Sequence, residues 1–508
     1  MKFLMTVLLL SLGPIGCAAL PDNLMQTPSY AIEPPKGSVA GHYFAAEIFA
    51  HRGQSGHVLV PNGQEAFLVR NAMAGLAEKS LDIQYYLWEA DTTGLLLIQQ
   101  LIEAADRGVR VRLLLDDIHT EGQDFAIASL DVHPRIEIRL FNPFASRAIR
   151  AVDYLTDLSR INHRMHNKVF LMDNTVSVLG GRNISDHYFG MNADSNFRDL
   201  DIISVGPSVQ QVSEAFDEYW NSRHAVPIKV LVDKNSNYSD LAQIREIVSQ
   251  RVAELASKLP YEPRETPEQM QARFDDIQDR LVWAPTRVLH DPVEKIDGAH
   301  SVFADLGGQL LPTIEKEFLI ESSYLIPGNR GTAQLVSLAK RGVVVKALTN
   351  SLSSNDVIAA HAGYARYRKK LVEGGVEIFE LRSDADLRRD LSVFGSKSHA
   401  SLHSKTMVFD RKSLFIGSVN VDPRSRVLNT EIGLYISSPI LAEQVAAQME
   451  DAIAPQNSYK VSLDQDNDLV WKSRNGDEMV TRTHEPETSL LTRIMAKLVR
   501  LLPIEKHL

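Results

Sequence analysis

One pattern occurs twice in this chain and constrains its fold more than any other feature. The first copy consists of His166, Lys168, Asp173 and Asn183. The second copy consists of His403, Lys405, Asp410 and Asn420. In both copies the lysine, the aspartate and the asparagine follow the histidine by two, seven and seventeen residues, and the copies lie 237 residues apart. Such a duplicated set indicates two halves that share one active site, and its residue types suit an anionic phosphate.

The repeat extends well beyond the two motifs. Residues 105–109 match residues 339–343, and the strand-like segment 136–141 matches 376–381. The offset between matching segments stays between 232 and 240 residues. A solenoid repeat would have a period of about 20–50 residues. The sequence therefore predicts two similar globular domains that arose by duplication.

Alternating strand and helix patterns predict the class of these domains. Residues 81–88 alternate like a strand, and 94–107 carry apolar side chains at helical spacing. Gly108 is expected to end that helix, and 109–115 reads as a buried strand. This order predicts an α/β fold with a mixed or largely parallel sheet. Because side chains two apart on a strand share a face, His166 and Lys168 are expected to point the same way.

The chain is expected to divide into six segments. They are a signal or lipoprotein-type segment over residues 1–19, a linker over 20–40, domain 1 over 41–225, a helical insert over 226–285, domain 2 over 286–455, and a hairpin with a C-terminal amphipathic helix over 456–508. The insert has no counterpart in the other half, and we interpret it as a spacer between the domains.

Charge argues against nucleic acid as a partner. The 508 residues carry a formal net charge of −10. A protein that binds a phosphate backbone usually shows a basic balance or stripe. No nucleic-acid partner is expected, although a local basic site is compatible with an acidic average. The sequence does not indicate an oligomeric state.

The N-terminus indicates a membrane destination. An apolar stretch over residues 3–12 is too short for a standard spanning helix and is typical of a secretory signal. Gly16 and Cys17 resemble a bacterial lipoprotein processing site, in which Cys17 becomes the lipidated first residue. Cleavage after Ala19 and an uncleaved anchor are the alternatives. We expect a bacterial envelope protein that is membrane-associated and lipid-anchored through Cys17.

The C-terminal segment is predicted to form a basic amphipathic helix. Leucines, isoleucine and methionine recur at helical spacing between residues 490 and 502, with Arg493, Lys497 and Arg500 among them. A helix of this kind binds at an anionic membrane surface. Packing of the same apolar face against the protein is the alternative.

The duplicated residues suit displacement at a phosphodiester. Lys168 and Lys405 supply positive charge, and Asn183 and Asn420 supply amide N–H groups, to oxygens whose negative charge grows in the transition state. Two histidines permit a double displacement in which one attacks phosphorus and the other transfers protons. The lysines supply the charge that a divalent ion would bring, so no metal and no cofactor are expected.

Each histidine needs an acceptor for its second ring nitrogen. Asp199 and Asp201 follow the first motif, and Glu431 follows the second. Aligning the two halves places Asp199 opposite Glu431, so we favour Asp199 over Asp201 for this role.

These residues match the HKD signature, and the chain is identified as a member of the phospholipase D superfamily. The resemblance implies two α/β domains with mixed β-sheets flanked by helices, related by a pseudo-twofold axis, with both motifs at their interface. It implies that His166 and His403 are nucleophile and acid/base, and that Lys168, Lys405, Asn183 and Asn420 hold the phosphate. It also implies pairing across the halves, Asp199 with His403 and Glu431 with His166. Asp173 and Asp410 belong to the signature as catalytic residues, but their place at strand–turn junctions also fits turn capping.

The second motif, with Asp422, Arg424 and Ser425 after Asn420, looks like the bacterial cardiolipin synthases. Residues 82–88 and 355–366 resemble the C-type branch. That resemblance implies transfer of a phosphatidyl group from phosphatidylethanolamine or phosphatidylglycerol to phosphatidylglycerol, with phospholipids and a membrane surface as partners. Hydrolysis of phospholipids to phosphatidic acid is the alternative within the same chemistry. A nuclease and a non-catalytic lipid-binding lipoprotein are weaker alternatives.

Overall fold

The computed structural model describes residues 26–35, 38–232, 241–256, 265–385 and 399–502. The first domain is built on one sheet. Its strands are β1 Ser55–Val60, β2 Ser80–Tyr85, β3 Arg110–Asp116, β4 Ile136–Phe141, β5 Val169–Met172, β6 Val176–Gly180, β8 Asp201–Val205, β9 Ala225–Pro227 and β10 Val282–Ala284. They lie in the order β10-β1-β8-β6-β5-β2-β3-β4-β9.

The second domain is built on a matching sheet. Its strands are β11 Thr286–His290, β12 Glu317–Ser322, β13 Val344–Asn350, β14 Glu377–Leu381, β16 Lys405–Phe409, β17 Ser413–Gly417, β18 Ile432–Ile436, β19 Ser458–Leu463, β20 Leu469–Asn475 and β21 Glu478–Arg482. They lie in the order β11-β18-β17-β16-β12-β13-β14-β19-β20-β21. Two further strands, β7 Ser195–Arg198 and β15 His399–Leu402, pair with each other between the domains.

The two sheets share one topology, which confirms the duplication and the mixed α/β class. Strands β2, β3 and β4 run parallel, as do β12, β13 and β14. The motif strands β5 and β16 each join the parallel block by an antiparallel edge. Both strands therefore occupy equivalent places near the middle of their sheets.

Helices cover the sheets. They are α1 Val39–Ala50, α2 Gly63–Leu76, α3 Thr92–Asp106, α4 Asp124–Leu130, α5 Ala151–Thr156, α6 Leu158–Ile161, α7 Pro207–Trp220, α8 Ile228–Leu231, α9 Leu241–Ala256, α10 Pro267–Asp279, α11 Val302–Leu310, α12 Gly328–Lys340, α13 Ile358–Tyr364, α14 Arg368–Glu373, α15 Pro439–Ala452 and α16 Leu490–Leu501. In each half, the helix between the first two parallel strands (α3 and α12) is followed by a glycine with positive φ, Gly108 at 97° and Gly342 at 92°. A residue with a side chain is strained in that conformation, so the repeated glycines stop both helices at the same point.

The helical insert is part of the first domain rather than a separate spacer. Helix α9 packs on α3, and α10 packs on α2. Strand β10, which follows them, pairs with β1 at the edge of the first sheet. The sequence pattern showed two amphipathic helices but not their partner, because the first half offers no repeat copy to compare. Residues after the second domain likewise extend its sheet, through the meander of β19, β20 and β21.

The domains pack face to face through a continuous apolar core. Helices α7 and α15, one from each domain, contribute buried residues to it, including Phe216 and Leu441. Side chains from both sheets complete it, among them Leu179 and Leu414. Burial of apolar area on this scale fixes the relative position of the two motifs.

No helix within the described residues is long and apolar enough to span a bilayer. The N-terminal segment, including Cys17, lies outside those residues.

Candidate active site

Backbone pairing across the domain interface sets the site. Strand β7 of the first domain runs parallel to β15 of the second, with Arg198 opposite Leu402. The amide of His403 donates to the carbonyl of Arg198 over 2.8 Å. The second half repeats this contact with roles exchanged, because the amide of His166 donates to the carbonyl of Thr430 over 2.9 Å. Each motif histidine is thus tied to the residue just before the partner domain's acid.

The structure brings each histidine against the acid of the opposite half. Nδ1 of His403 lies 2.7 Å from Oδ2 of Asp199, and Nδ1 of His166 lies 2.9 Å from Oε2 of Glu431. In both pairs Nδ1 binds the carboxylate, so Nε2 is the ring nitrogen that can react with a substrate; Nε2 of His403 lies 3.5 Å from the hydroxyl of Tyr188. A carboxylate in this position fixes the tautomer and the orientation of the ring.

Asp201, the alternative acid, serves a different purpose. Its carboxylate lies 2.8 Å from the guanidinium of Arg70, in a pair that is fully buried. Gly181 makes room for Asp199, since a Cβ there would lie 2.2 Å from the carboxylate. In the second half Ser418 occupies the place of Gly181, and its hydroxyl donates to Glu431. Ser425 also donates to Glu431, over 2.7 Å.

The lysines lie with the histidines on the same strand ends. Nζ of Lys168 donates to the carbonyl of His166 over 2.7 Å, and Nζ of Lys405 donates to the hydroxyl of Ser323 over 3.1 Å. Both ammonium groups are buried, and desolvation lowers the pKa of Lys168 to about 7 and that of Lys405 to about 8. The carboxylate of Glu431 opposes the shift for Lys168, whereas the second lysine adds to it. Two ammonium groups buried in one site are suited to bind an anion between them.

Burial favours the neutral form of both motif histidines. Desolvation lowers the pKa of His166 to about 4, partly offset by Glu431. Burial also lowers the pKa of His403 well below its usual value, and Lys405 and Lys168 lower it further. A neutral imidazole with Nε2 unprotonated is the form that attacks phosphorus. A bound phosphodiester anion would favour protonation of the other ring.

The two asparagines differ in their surroundings. Asn183 donates from Nδ2 to the hydroxyl of Tyr188 over 2.9 Å and accepts from the amide of Leu87 over 3.3 Å. The side-chain oxygen of Asn420 is buried and accepts no hydrogen bond from the residues that the structure describes. The second half thus retains unused hydrogen-bonding capacity at its asparagine.

Two tyrosines beside the histidines were not identified as site residues from the sequence. The ring of Tyr86 meets that of His166 edge-on at 5.0 Å, and the ring of Tyr188 meets that of His403 at 4.9 Å. The repeat gave no signal for Tyr86, because its counterpart at the equivalent strand end of the second half is Ser323. Tyr188 lies in a short helical turn that has no repeat copy.

Asp173 and Asp410 do not lie with the histidines, and the turn-capping interpretation describes their contacts. Asp173 sits at the far end of strand β5 from Lys168, at least about 15 Å along the strand. Its carboxylate accepts from the amides of Glu78, Lys79 and Ser80 over 2.8–3.0 Å. Asp410 accepts in the same way from residues 315–317. These contacts favour the turn-capping alternative, in which each carboxylate ties the motif hairpin to the start of the adjacent antiparallel strand, β2 or β12.

Replacing Asp173 with alanine is expected to lower stability without changing the chemistry. It leaves three amides without an acceptor and places alanine at a φ of 53°, together costing about 3 kcal/mol or more. Thermal unfolding and the kcat of the folded fraction measure the two effects. Asp173→Asn is the matched control, because asparagine tolerates this φ and keeps one acceptor oxygen. A large fall in kcat for both variants at unchanged stability would contradict the structural role.

The lysine pKa values predict an alkaline limb in the pH profile. A lysine stabilises phosphate only when protonated, so kcat/KM is expected to fall as pH rises through about 7 to 8. Bound phosphate favours the charged lysine, so the limb in kcat should lie at higher pH. Initial rates from about pH 6 to about pH 10 would measure both limbs. A kcat/KM that stays constant across this range would contradict the prediction.

Known proteins resemble this chain over most of its length. A family model described as "Cardiolipin synthase, PLD-like domain" matches residues 72–220 and 309–453. Cardiolipin synthase C of Escherichia coli (strain K12) is 39% identical, over 90% of this chain and 96% of its own length. Cardiolipin synthase A of Pseudomonas putida (strain GB-1) is 26% identical, over 77% of this chain and 67% of its own. The crystal structure of phosphatidylserine synthase from Haemophilus influenzae Rd KW20 covers 92% of this chain and 100% of its own, with a TM-score of 0.58 and 13% identity, which shows a shared fold.

Proposed function

This chain belongs to the cardiolipin synthase, PLD-like domain family, and we propose that it makes cardiolipin by transferring a phosphatidyl group to phosphatidylglycerol. The donor would be phosphatidylethanolamine or a second phosphatidylglycerol. The observation that carries the proposal is the pair of histidines, each held by the acid of the opposite half. Two oriented imidazoles beside two buried lysines form a site for double displacement at an anionic phosphodiester.

The reaction proceeds in two steps, and the second step is the reverse of the first with a different alcohol. Nε2 of one histidine attacks phosphorus, the P–N bond forms, and the P–O bond to the donor's head-group alcohol breaks. The second histidine gives its proton to that leaving oxygen. It then takes the proton from the terminal glycerol hydroxyl of phosphatidylglycerol, whose oxygen attacks phosphorus and breaks the P–N bond. Lys168, Lys405 and Asn420 stabilise the charge on the other phosphate oxygens in both steps.

Two exposed apolar patches suggest how the site faces a membrane. Helix α16 packs on α13 through Ala496, its one buried side chain among the described residues, and leaves its large apolar side chains exposed. Their exposed fractions reach 70% for Leu491 and 80% for Leu501. The helix thus docks on the domain while its basic apolar face stays exposed. We propose that this face binds an anionic bilayer.

The second patch belongs to the first domain. It comprises Ile149, Tyr154, Leu155 and Leu158, of which Leu155 is 88% exposed. Tyr154 lies close enough to Tyr86 to affect its pKa, and Tyr86 contacts His166. The patch thus lies near Tyr86 and, through it, near His166. With Cys17 lipidated, the protein would be held at the envelope membrane by three attachments.

Charge at the apolar face should weaken membrane binding. Leu498→Glu combined with Leu501→Glu is expected to reduce binding to phosphatidylglycerol-containing vesicles by about tenfold or more, because each leucine loses its favourable transfer into the interface. Co-sedimentation measures the bound fraction. Ile247→Glu, at an exposed apolar position of α9, is the matched control. Equal losses in the two proteins would refute a specific role for α16.

Lipid mass spectrometry tests the activity itself. Purified protein would be incubated with phosphatidylglycerol, with and without phosphatidylethanolamine, and with or without EDTA. Cardiolipin with released glycerol or ethanolamine establishes the synthase and identifies the donor. Phosphatidic acid as the sole product would mean that water consumes the phosphohistidine, and the hydrolase would replace the proposal. We expect EDTA to leave the rate unchanged.

A further inference from the structure

A cavity of about 420 Å³ lies in the second domain, between helices α11 and α12 and strands β12 and β16. This volume falls within the range of about 300–1,000 Å³ that is usual for ligand pockets. Its wall is mainly apolar and includes Phe303, Leu311, Phe318, Ile320, Leu335 and Met407. Space lined in this way suits a hydrocarbon and not a polar head group.

The cavity adjoins the catalytic site. Asn420, Asp422 and Ser425 of the second motif form part of its wall. The side-chain oxygen of Asn420 accepts no hydrogen bond from the described residues. The hydroxyl of Ser425 donates a hydrogen bond to Glu431. A molecule whose phosphate lies at Lys405 would therefore have an apolar compartment within reach on the same side.

Two cations lie where the cavity meets solvent. Arg330 of α12 and Arg426 both line the cavity, and both are exposed. An apolar interior with guanidinium groups at its opening matches an amphiphile with a negative head, since guanidinium groups pair with phosphate and with ester oxygens.

We propose that this cavity holds an acyl chain of the phospholipid bound at the second motif. The inference rests on the proposed function and assigns a subsite to it. A phospholipid that reaches a buried site must draw part of its chains out of the bilayer, and exposure of their methylene groups to water is unfavourable. An apolar compartment beside the phosphate site removes that cost. It also makes chain length and chain shape determinants of specificity.

The two halves differ in the hydrogen bonds of their motif asparagines. In the first half the equivalent asparagine, Asn183, is engaged by Tyr188 and Leu87. A lipid held through the cavity beside Asn420 would therefore be bound differently from the lipid at the first motif.

Two glycines of α11 allow the acyl-chain assignment to be tested by adding a side chain at the cavity wall. Gly307 and Gly308 line the cavity, and a Cβ added at either would meet no atom within 4 Å. Gly308→Leu therefore adds a side chain at the cavity wall, at a position where a Cβ meets no atom, and leucine favours a helix over glycine. It is expected to lower kcat/KM for dioleoyl phosphatidylglycerol by about tenfold or more. The dihexanoyl lipid should be affected by less than about twofold.

The matched control adds the same side chain elsewhere. Ser337→Leu lies on the exposed face of α12, outside the cavity wall. It should leave both chain lengths unaffected. If Gly308→Leu lowers the rate equally for both lipids, or for neither, the acyl-chain assignment is overturned.

Binding without turnover separates this inference from the proposed function. Lysophosphatidylglycerol with a photoactivatable group at the chain end should crosslink wild-type protein at the cavity wall, at Phe303 or Met407. Such crosslinks would support the subsite even in a protein that makes no cardiolipin. Crosslinks confined to other surfaces, in a protein that does make cardiolipin, would refute the subsite and leave the function standing. This readout needs no variant to fold.

Discussion

His166→Ala and His403→Ala are each expected to reduce phosphatidyl transfer by at least about 10⁴-fold. One ring forms the bond to phosphorus and the other moves the protons, so neither half completes the double displacement alone. The double variant should be no slower than the worse single variant, because residues that act as one unit lose their effect together. Cardiolipin formation measured by lipid mass spectrometry gives all three rates. Substantial activity in either single variant would show that the halves act independently.

Two additional measurements provide a control for these variants and identify the histidine that attacks phosphorus. His163→Ala removes a partly exposed histidine, three residues before the motif, whose ring lies 2.8 Å from the carbonyl of Ser159. It should keep the wild-type rate. A phosphodiester with a good leaving group needs little acid catalysis, so the variant that lacks the acid should still form a phosphohistidine. The variant that lacks the nucleophile should not, and this difference identifies the histidine that attacks.

Much of the fold follows from the sequence because the repeat records it twice. The offset between matching segments places the same strands in the same order, and the central strands of both sheets have the same arrangement. The same alignment placed Asp199 opposite Glu431, and the structure puts both carboxylates against the histidines. Asp201 differs from Asp199 by two residues on the chain but faces Arg70. Single-sequence patterns alone do not separate these two acids.

Features without a repeat copy were the ones that the sequence did not reveal. Helices α9 and α10 have clear apolar faces, but an apolar face does not name its partner, and both were assigned to a spacer. Tyr188 and the cavity under α11 depend on loops that differ between the halves. Asp173 and Asp410 are repeated, yet repetition alone does not distinguish a catalytic carboxylate from one that holds backbone amides. The structure distinguishes them by the donors that surround each carboxylate.

The second large effect is expected when an orienting acid is replaced, and the change should affect the histidine of the opposite domain. Glu431→Gln keeps the shape of the side chain but removes the charge that orients His166, and the rate should fall by about 10²–10⁴-fold, as for the third member of a hydrolytic triad. The same change should alter the titration of His166, in the opposite domain. NMR of labelled histidines measures this shift separately from the rate. Asp199→Asn should act in the same way on His403.

The contrast between the two variants makes the test specific. Glu431 receives additional hydrogen bonds from Ser418 and Ser425, so glutamine meets two hydroxyls that can reorient toward it. Besides the contact with His403, Asp199 accepts from the amide of Leu200, and asparagine there would place an amide group beside the Lys405 ammonium. We therefore expect Asp199→Asn to be the more damaging change. If each variant altered only the histidine of its own domain, the exchange of acids between the halves would be wrong, and with it the argument that one site requires both domains.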